Sequence, residues 1–488
     1  MNRARDARET AGPALRLPPL RTVGLLSGLL LFLLLRLAPA PTGLAETGWA
    51  VAALVVLMAV FWFTEALPIA ATALLPFVLL PLMGVASSTE VAAGYYSPII
   101  FLVLGGAIVA TAVERHGLHR RVALAIAERS PATTAGVLFA FMGATALVST
   151  LVSNTATALI MMPVALALLG AISGTASAEA ERRFAAVLVL GIAYAANIGG
   201  LATLVASPTN AIAAGIIGRS AGIEVSFLDW AAFGVPLALV SLPIAAWVLM
   251  RVGRMRSVRL DPERLFEAIG QPGPLSQAQK RLLPLLVLLL FGWVVLPFLK
   301  APLGLAAVDD AMVAVAVSLL LFLVPAGPGK GPLLSWADTK RVPWDVLLLF
   351  GGGLALASAI ADSGLAAWMG TRLAAFAELP PFALAMLAVA VMLLVTEFAS
   401  NVATASAFMP VVAAVAVTAG AEPLPLLMAA ALAPTWDFMM PAGTAPNAIA
   451  LATGRVPIRQ MIGTGFVLDL VGIPLIAGIP LLVSLVLA

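Results

Sequence analysis

The sequence predicts an all-α polytopic membrane protein, with about 11 transmembrane helices plus two re-entrant helical hairpins in an inverted repeat. Three observations carry this. Hydrophobic residues make up 62% of the 488 residues and charged residues 10%, too little charge for a water-facing surface of this size. Apolar runs of about 20 residues, the reach of a helix across a bilayer, recur along the whole length. One polar phrase, "SNTATA" at 153–158, returns as "SNVATA" at 400–405.

Spans are expected at 22–39, 48–63, 68–84, 98–114, 183–218, 228–250, 282–298, 306–325, 344–362, 423–453 and 460–487. The first apolar run follows an Arg-bearing stretch and lacks a clear cleavage site, so it reads as a span rather than a removed signal. Segments 131–170 and 380–418 are apolar but interrupted in the middle by the Ser-Asn phrase. Each fits two half-length helices better than one span.

Charge orients the chain. With the N-terminus in the cytoplasm and both interrupted segments returning to the side where they start, all but four of the 27 basic residues are cytoplasmic. The exceptions are Arg219, Lys300 and Arg372 outside and Arg36 at a membrane edge. Full crossings by the interrupted segments would swap successive loops and erase this positive-inside bias. The expectation is a multi-pass protein of the inner (plasma) membrane with its N-terminus cytoplasmic and its C-terminus outside.

The repeat is internal. Asn154 and Asn401 stand 247 residues apart, and at that offset 149–163 and 396–410 agree at seven of fifteen positions, Pro163 and Pro410 included. "ASPTNAIA" at 206–213 is echoed by "GTAPNAIA" at 443–450. The chain divides into an N-terminal segment with the first helix (1–47), a first repeat (48–260, hairpin 131–170), a cytoplasmic linker (261–281) and a second repeat (282–488, hairpin 380–418). Each repeat has five full spans, so the second is inverted. Inverted repeats with interrupted helices are the architecture of secondary transporters, whose sites lie at the breaks.

The chemistry of a break explains the polar phrases. Interrupting a helix in a bilayer frees N–H and C=O groups that hydrocarbon cannot satisfy. Freed carbonyls with Ser, Thr and Asn oxygens make a cage for a hard cation, and a half-helix N-terminus receives an anion. Ser and Asn also cap the helix that follows. The chain has no Cys, and its two His, His116 and His119, sit in "ERHGLHRR", read as a solvated charged loop. Disulfides, thiolate metal sites and Cys nucleophiles are excluded. No phosphate loop is present, and the basic residues sit in short loops, so no nucleic-acid surface is expected.

At these residues the chain resembles the divalent anion:sodium symporter family, the INDY-type dicarboxylate and sulfate transporters. The likeness rests on Ser153-Asn154-Thr155, Ser400-Asn401-Val402, both Pro/Asn breaks and "WFTEALPIAATALLPFVLLPL" at 62–82. It implies eleven spans and two re-entrant hairpins, divided into scaffold and mobile transport domains of a homodimer, with elevator-type alternating access. It implies one sodium site from Ser149, Ser153, Asn154 and the Ala206 carbonyl, and a second from Thr396, Ser400, Asn401 and the Gly443 carbonyl. Substrate contacts fall on Ser153, Asn154, Thr155, Ser207, Pro208, Ser400, Asn401, Val402, Thr444 and Ala445. The expected activity is sodium-coupled symport of a small dianion, most simply a C4-dicarboxylate such as succinate, malate or fumarate. Sodium is co-transported and no organic cofactor is expected.

Three departures stand out. Val402 replaces the Thr of the family's second Ser-Asn-Thr, the breaks read "ASPTN" and "GTAPN" where "GTPPN" is common, and Asp437 stands where a small residue is expected. Asp437 reads as a paired structural acid or as an added protonatable group; Glu65, Glu397 and Asp469 read as structurally paired. The alternatives are a sodium-independent or proton-coupled anion exchanger and a sulfate transporter of the same family. An intramembrane enzyme is disfavoured, because no Cys, no membrane His and no matched pair of acids is present to act.

Overall fold

The computed structural model describes residues 20–487 apart from 173–176, 262–272, 374–375, 377, 419–421 and 442. The N-terminal stretch with Arg3, Arg5, Arg8 and Arg16, and most of the expected linker, with Arg264, lie outside the described residues. The described chain is helical, and its only β pairings are two isolated bridges, Thr133 with Arg259 and Pro325 with Pro332. Among the described residues nine helices are long and apolar enough to cross a membrane, and five shorter apolar helices accompany them.

The first half runs through α1 (Leu20–Leu37), α2 (Glu46–Thr64), α3 (Ile69–Thr72), α4 (Leu75–Leu82), α5 (Ser88–Tyr95), α6 (Pro98–Arg115) and α7 (Leu118–Ala127). It continues through α8 (Thr134–Ser149), α9 (Asn154–Ala171), α10 (Ala178–Leu201), α11 (Pro208–Ala221) and α12 (Phe227–Val252). The second half has α13 (Gln277–Val294), α14 (Leu296–Leu299), α15 (Asp310–Leu323), α16 (Trp344–Asp362) and α17 (Leu365–Arg372). It ends with α18 (Pro381–Thr396), α19 (Asn401–Thr418), α20 (Leu424–Leu432), α21 (Ala445–Ala452) and α22 (Ile458–Leu487).

Four expected spans prove discontinuous; that at 282–298 divides at Val295 into α13 and α14. The run at 68–84 is two short helices, α3 and α4. The runs at 183–218 and 423–453 each break at the Pro/Asn phrase, between α10 and α11 and between α20 and α21. Pro at N1 or N2 of α11 and α21 starts each new helix where its missing N–H costs nothing. The hairpin arms are longer than the half-length helices expected: α8 and α18 have 16 residues and α9 and α19 have 18. At 1.5 Å per residue the longer arms measure about 27 Å.

Position in the fold follows composition. Helix α10 is apolar all round, and every residue from Phe184 to Leu201 is buried. It is the central post, packed by α8, α9, α12 and α21. Helix α1 is the opposite: most of its leucines are exposed and only Gly24 and Gly28 are buried. This four-residue spacing of small residues lets α1 approach α2 closely, with Gly24 against Thr64 and Gly28 against Phe61. The two halves interleave, with α6 on α15, α5 on α16, α12 on α22, α11 on α19 and α9 on α21.

The charged loop is less solvated than expected. His119 is buried, its Nδ1 3.1 Å from the Val113 carbonyl, and His116 Nε2 lies 2.8 Å from the Leu333 carbonyl. Arg115 pairs with Asp338 beside them. These contacts tie the α6–α7 corner to the second half.

Candidate functional site

The two Ser-Asn phrases adopt one geometry. In the first, Ser149 ends α8 and Asn154 begins α9. The Ser149 hydroxyl lies 2.9 Å from Asn154 Oδ1 and 2.7 Å from the Ala196 carbonyl of α10. In the second, Thr396 ends α18 and Asn401 begins α19. The Thr396 hydroxyl lies 2.7 Å from Asn401 Oδ1 and 3.1 Å from the Pro434 carbonyl. Each cluster holds three oxygens and one hydrogen. A hydroxyl donates a single proton, so at each tip it satisfies one of the two oxygens it faces. Ser149 and Thr396 are fully buried.

The remaining tip residues cap and line. Ser153 Oγ accepts from the Ala156 amide at 3.3 Å, the N-cap bond of α9. Thr155 is exposed in the first turn of α9, and Val402 is half-buried against the apolar core at the matching place in α19. Ser400 is half-buried, and its carbonyl accepts the first helical bond of α19 from Thr404.

The Pro/Asn breaks are braced alike. Asn210 Nδ2 donates to the carbonyls of Gly200 (2.7 Å) and Thr203 (2.8 Å). Asn447 Nδ2 donates to those of Asp437 (3.2 Å) and Met440 (3.1 Å). In both breaks the carbonyls belong to residues ten and seven positions upstream. A single carboxamide thus satisfies two carbonyls that the break releases, which a low-dielectric interior demands. Ala206 and Ser207 are buried, Pro208 is half-buried, Gly443 is half-buried and Ala445 is exposed.

Hydrogen bonds join the halves here. Asn197 Nδ2 of α10 donates to Thr444 Oγ1 at 3.1 Å, and Thr435 Oγ1 donates to Asn210 Oδ1 at 3.4 Å. Thr444 Oγ1 also accepts the Asn447 amide. With its acceptor positions used, the Thr444 hydroxyl keeps its own proton to donate.

Glu397 is a structural acid, as expected, but its partners are backbone. Its carboxylate accepts from the amides of Phe438 (3.0 Å), Met439 (2.9 Å) and Met440 (2.8 Å), pinning the strand-like turn between α20 and α21. Asp437 is fully buried, no described N–H or O–H donor reaches its carboxylate oxygens, and the side chain it meets is the carboxyl of Glu397. Asp469 is buried with Oδ1 also unpartnered, and Glu65 is exposed at the left-handed end of α2. The sequence did not reveal the Ala196 and Pro434 carbonyls, which carry no side-chain signal, or Asn197, whose partners lie about half the chain away. A cavity of about 400 Å³ opens elsewhere, near Ser177, Arg183, Arg254, Arg259 and Arg455. None of the tip residues lines it.

Paired helix breaks, braced by equivalent asparagines inside an apolar helical bundle, define a multi-pass membrane protein of the transporter type. The family model for the sodium:sulfate symporter transmembrane region matches residues 20–487, and the chain belongs to that family. It is 38% identical over 465 residues to the sodium-dependent dicarboxylate transporter SdcS of Staphylococcus saprophyticus, covering 93% of this chain and 89% of that one. The Staphylococcus aureus protein of the same name is 38% identical over 459 residues, covering 92% and 88%. Among solved structures the fold is similar to the Alcanivorax borkumensis YdaH transporter (TM-score 0.55, 16% identity, 96% and 98% covered). It is also similar to Neisseria gonorrhoeae MtrF (TM-score 0.56, 13% identity, 95% of each chain covered).

Proposed function

We propose that this protein is a sodium-coupled symporter of small divalent anions, C4-dicarboxylates such as succinate, malate and fumarate. The observation that carries this is the pair of oxygen clusters, Ser149–Asn154–Ala196 and Thr396–Asn401–Pro434, each with more oxygens than protons. Relatives named sodium-dependent dicarboxylate transporters favour a dicarboxylate over sulfate.

In this reading each cluster, with Ser153 and the Ala206 carbonyl or with Ser400 and the Gly443 carbonyl, holds one sodium ion. The ions neutralise the tips, and the dianion then lies between them. Its carboxylates meet the Asn154 and Asn401 amides, Thr155, Ser207 and the hydroxyl of Thr444, with Pro208, Val402 and Ala445 as apolar walls. Sodium therefore precedes or accompanies the anion, which is coupling. The hairpins are re-entrant, the repeats inverted, and alternating access is of the elevator type in a homodimer of the plasma membrane. The N-terminus is cytoplasmic and the C-terminus outside.

Uptake of succinate and of sulfate into proteoliposomes, with and without an inward sodium gradient, tests the proposal. Succinate uptake that needs the sodium gradient supports it. Equal uptake in choline would favour the exchanger reading instead.

A further inference from the structure

Beyond the two tips, four buried oxygens in one small region receive no N–H or hydroxyl donor among the described residues: Asp437 Oδ1 and Oδ2, Asn197 Oδ1 and Asn447 Oδ1. All three residues are 0% exposed. Hydrogen bonds hold them side by side, because Asn197 Nδ2 and Asn447 Nδ2 both donate to the Asp437 carbonyl at 3.2 Å. The amide orientations are fixed, since each nitrogen faces acceptors and a flip would set oxygen against oxygen. The unpartnered atoms are therefore all acceptors.

The halves differ at this point. Asn210 and Asn447 brace their breaks at the same two spacings, so Asp437 holds in the second half the place that Gly200 holds in the first. Gly200 lies against the Asn154 side chain, and the Asp437 carboxylate lies against Gly443. A carboxylate thus stands where the symmetric break has only a hydrogen atom.

The Asp437 carboxyl meets that of Glu397, and two carboxyls that share one proton still carry one negative charge. The titratable groups facing it are Glu397 at the end of α18, Asp469 of α22 and the Tyr194 hydroxyl of α10. Glu397 is engaged by three backbone amides, and the Tyr194 hydroxyl donates to the Phe438 carbonyl at 3.0 Å, with the Met461 carbonyl 3.3 Å away. Among the described residues no basic side chain hydrogen-bonds to Asp437. Among the described residues no three carboxylates converge on a metal-sized point, so the ligand set is one carboxylate and two carboxamides. An ionised side chain inside a membrane protein is costly unless it is matched, and it marks an ion path. Oxygen-only donors with a single charge suit a hard monovalent cation.

We propose that Asp437, Asn197 and Asn447 form a further sodium site beside the second break, distinct from the two Ser/Thr–Asn tips. It rests on the sodium-symport reading for its ion but not for its geometry. The site makes the halves unequal: the second carries a fixed negative charge that the first lacks, and one more cation accompanies the dianion.

The test is equilibrium binding of radiolabelled sodium to the purified protein, which needs no transport. Asp437→Asn keeps the shape and removes the charge, and it should bind one sodium fewer than the wild type while retaining the others. Asn197→Leu, near in volume without the oxygen, should lose the same ion. Retention of the remaining sodium ions shows that each variant is folded. An unchanged count in a variant that still binds sodium overturns the proposal: the charge at Asp437 is then met by a proton shared with Glu397 and not by sodium. If the count falls in Asp437→Asn but wild-type uptake ignores sodium gradients, the symport reading fails and this site stands.

Discussion

Thr396 Oγ1 lies 2.7 Å from Asn401 Oδ1, and 247 residues earlier Ser149 Oγ lies 2.9 Å from Asn154 Oδ1. Each hydroxyl closes a helix break by bridging the last residue of one arm to the first residue of the next. Each also reaches a carbonyl of a neighbouring helix, Pro434 or Ala196. The pairs are chemically interchangeable, so the breaks should respond alike to mutation.

Asn154→Ala and Asn401→Ala should each abolish sodium-driven uptake without unfolding the protein. Either truncation removes one of the oxygens proposed to hold the cation, a loss of about 1–3 kcal/mol in cation binding. Size-exclusion profile and thermal stability check folding; uptake checks function. Near wild-type uptake in a well-folded variant would contradict the tip assignments.

Thr396→Ser should keep function and Thr396→Val should lose it. Serine retains the hydroxyl, whereas valine keeps the shape and sets a methyl against Asn401 Oδ1 and the Pro434 carbonyl. Loss of about 0.5–1.5 kcal/mol per neutral hydrogen bond raises the half-saturating sodium by roughly two- to tenfold for each bond removed. The sodium dependence of uptake in the two variants measures this.

Gly200→Ala should be as damaging as a direct site mutation. A Cβ there would stand 2.3 Å from Asn154 Oδ1, closer than any real contact. The Asn must turn away, breaking its bond with Ser149. Gly143→Ala in α8 is the control: nothing lies within 4 Å of the added methyl, and replacing a mid-helix glycine gains roughly 0.5–1 kcal/mol. Uptake lost in the first variant and kept in the second is the expected pair.

Val402→Thr should tighten dicarboxylate binding by about two- to tenfold, the worth of one added neutral hydrogen bond. Thr155→Val should weaken it by more, because Thr155 is the remaining hydroxyl of the pair. Substrate affinity at saturating sodium reads both. If Val402→Thr weakens binding while Thr155→Val leaves it unchanged, the two positions do not face the anion.

The breaks were legible in the sequence because Ser153-Asn154 and Ser400-Asn401 are polar islands in apolar runs. Their repetition at a fixed offset exposed the two halves. The Pro/Asn phrases marked where α11 and α21 begin, since Pro at a helix start has a local cause. Less could be read where the cause is not local. The 18-residue arms α9 and α19 pack against α21 and α11 of the opposite half, partners far away in the chain. Ala196 and Pro434 contribute backbone oxygens, which no residue type advertises. Asp437 was visible as an anomaly, but its company, Asn197 of α10, is a sequence neighbour of nothing near it.

The central claim is that the two breaks line one anion site. Because the chain contains no cysteine, a Thr155→Cys, Val402→Cys double variant carries only the two introduced thiols, one on each tip. A short bifunctional thiol reagent should cross-link them within one chain, and succinate with sodium should block the reaction while succinate in choline should not. Failure to cross-link although each single thiol reacts, or cross-linking indifferent to sodium and succinate, would contradict the account.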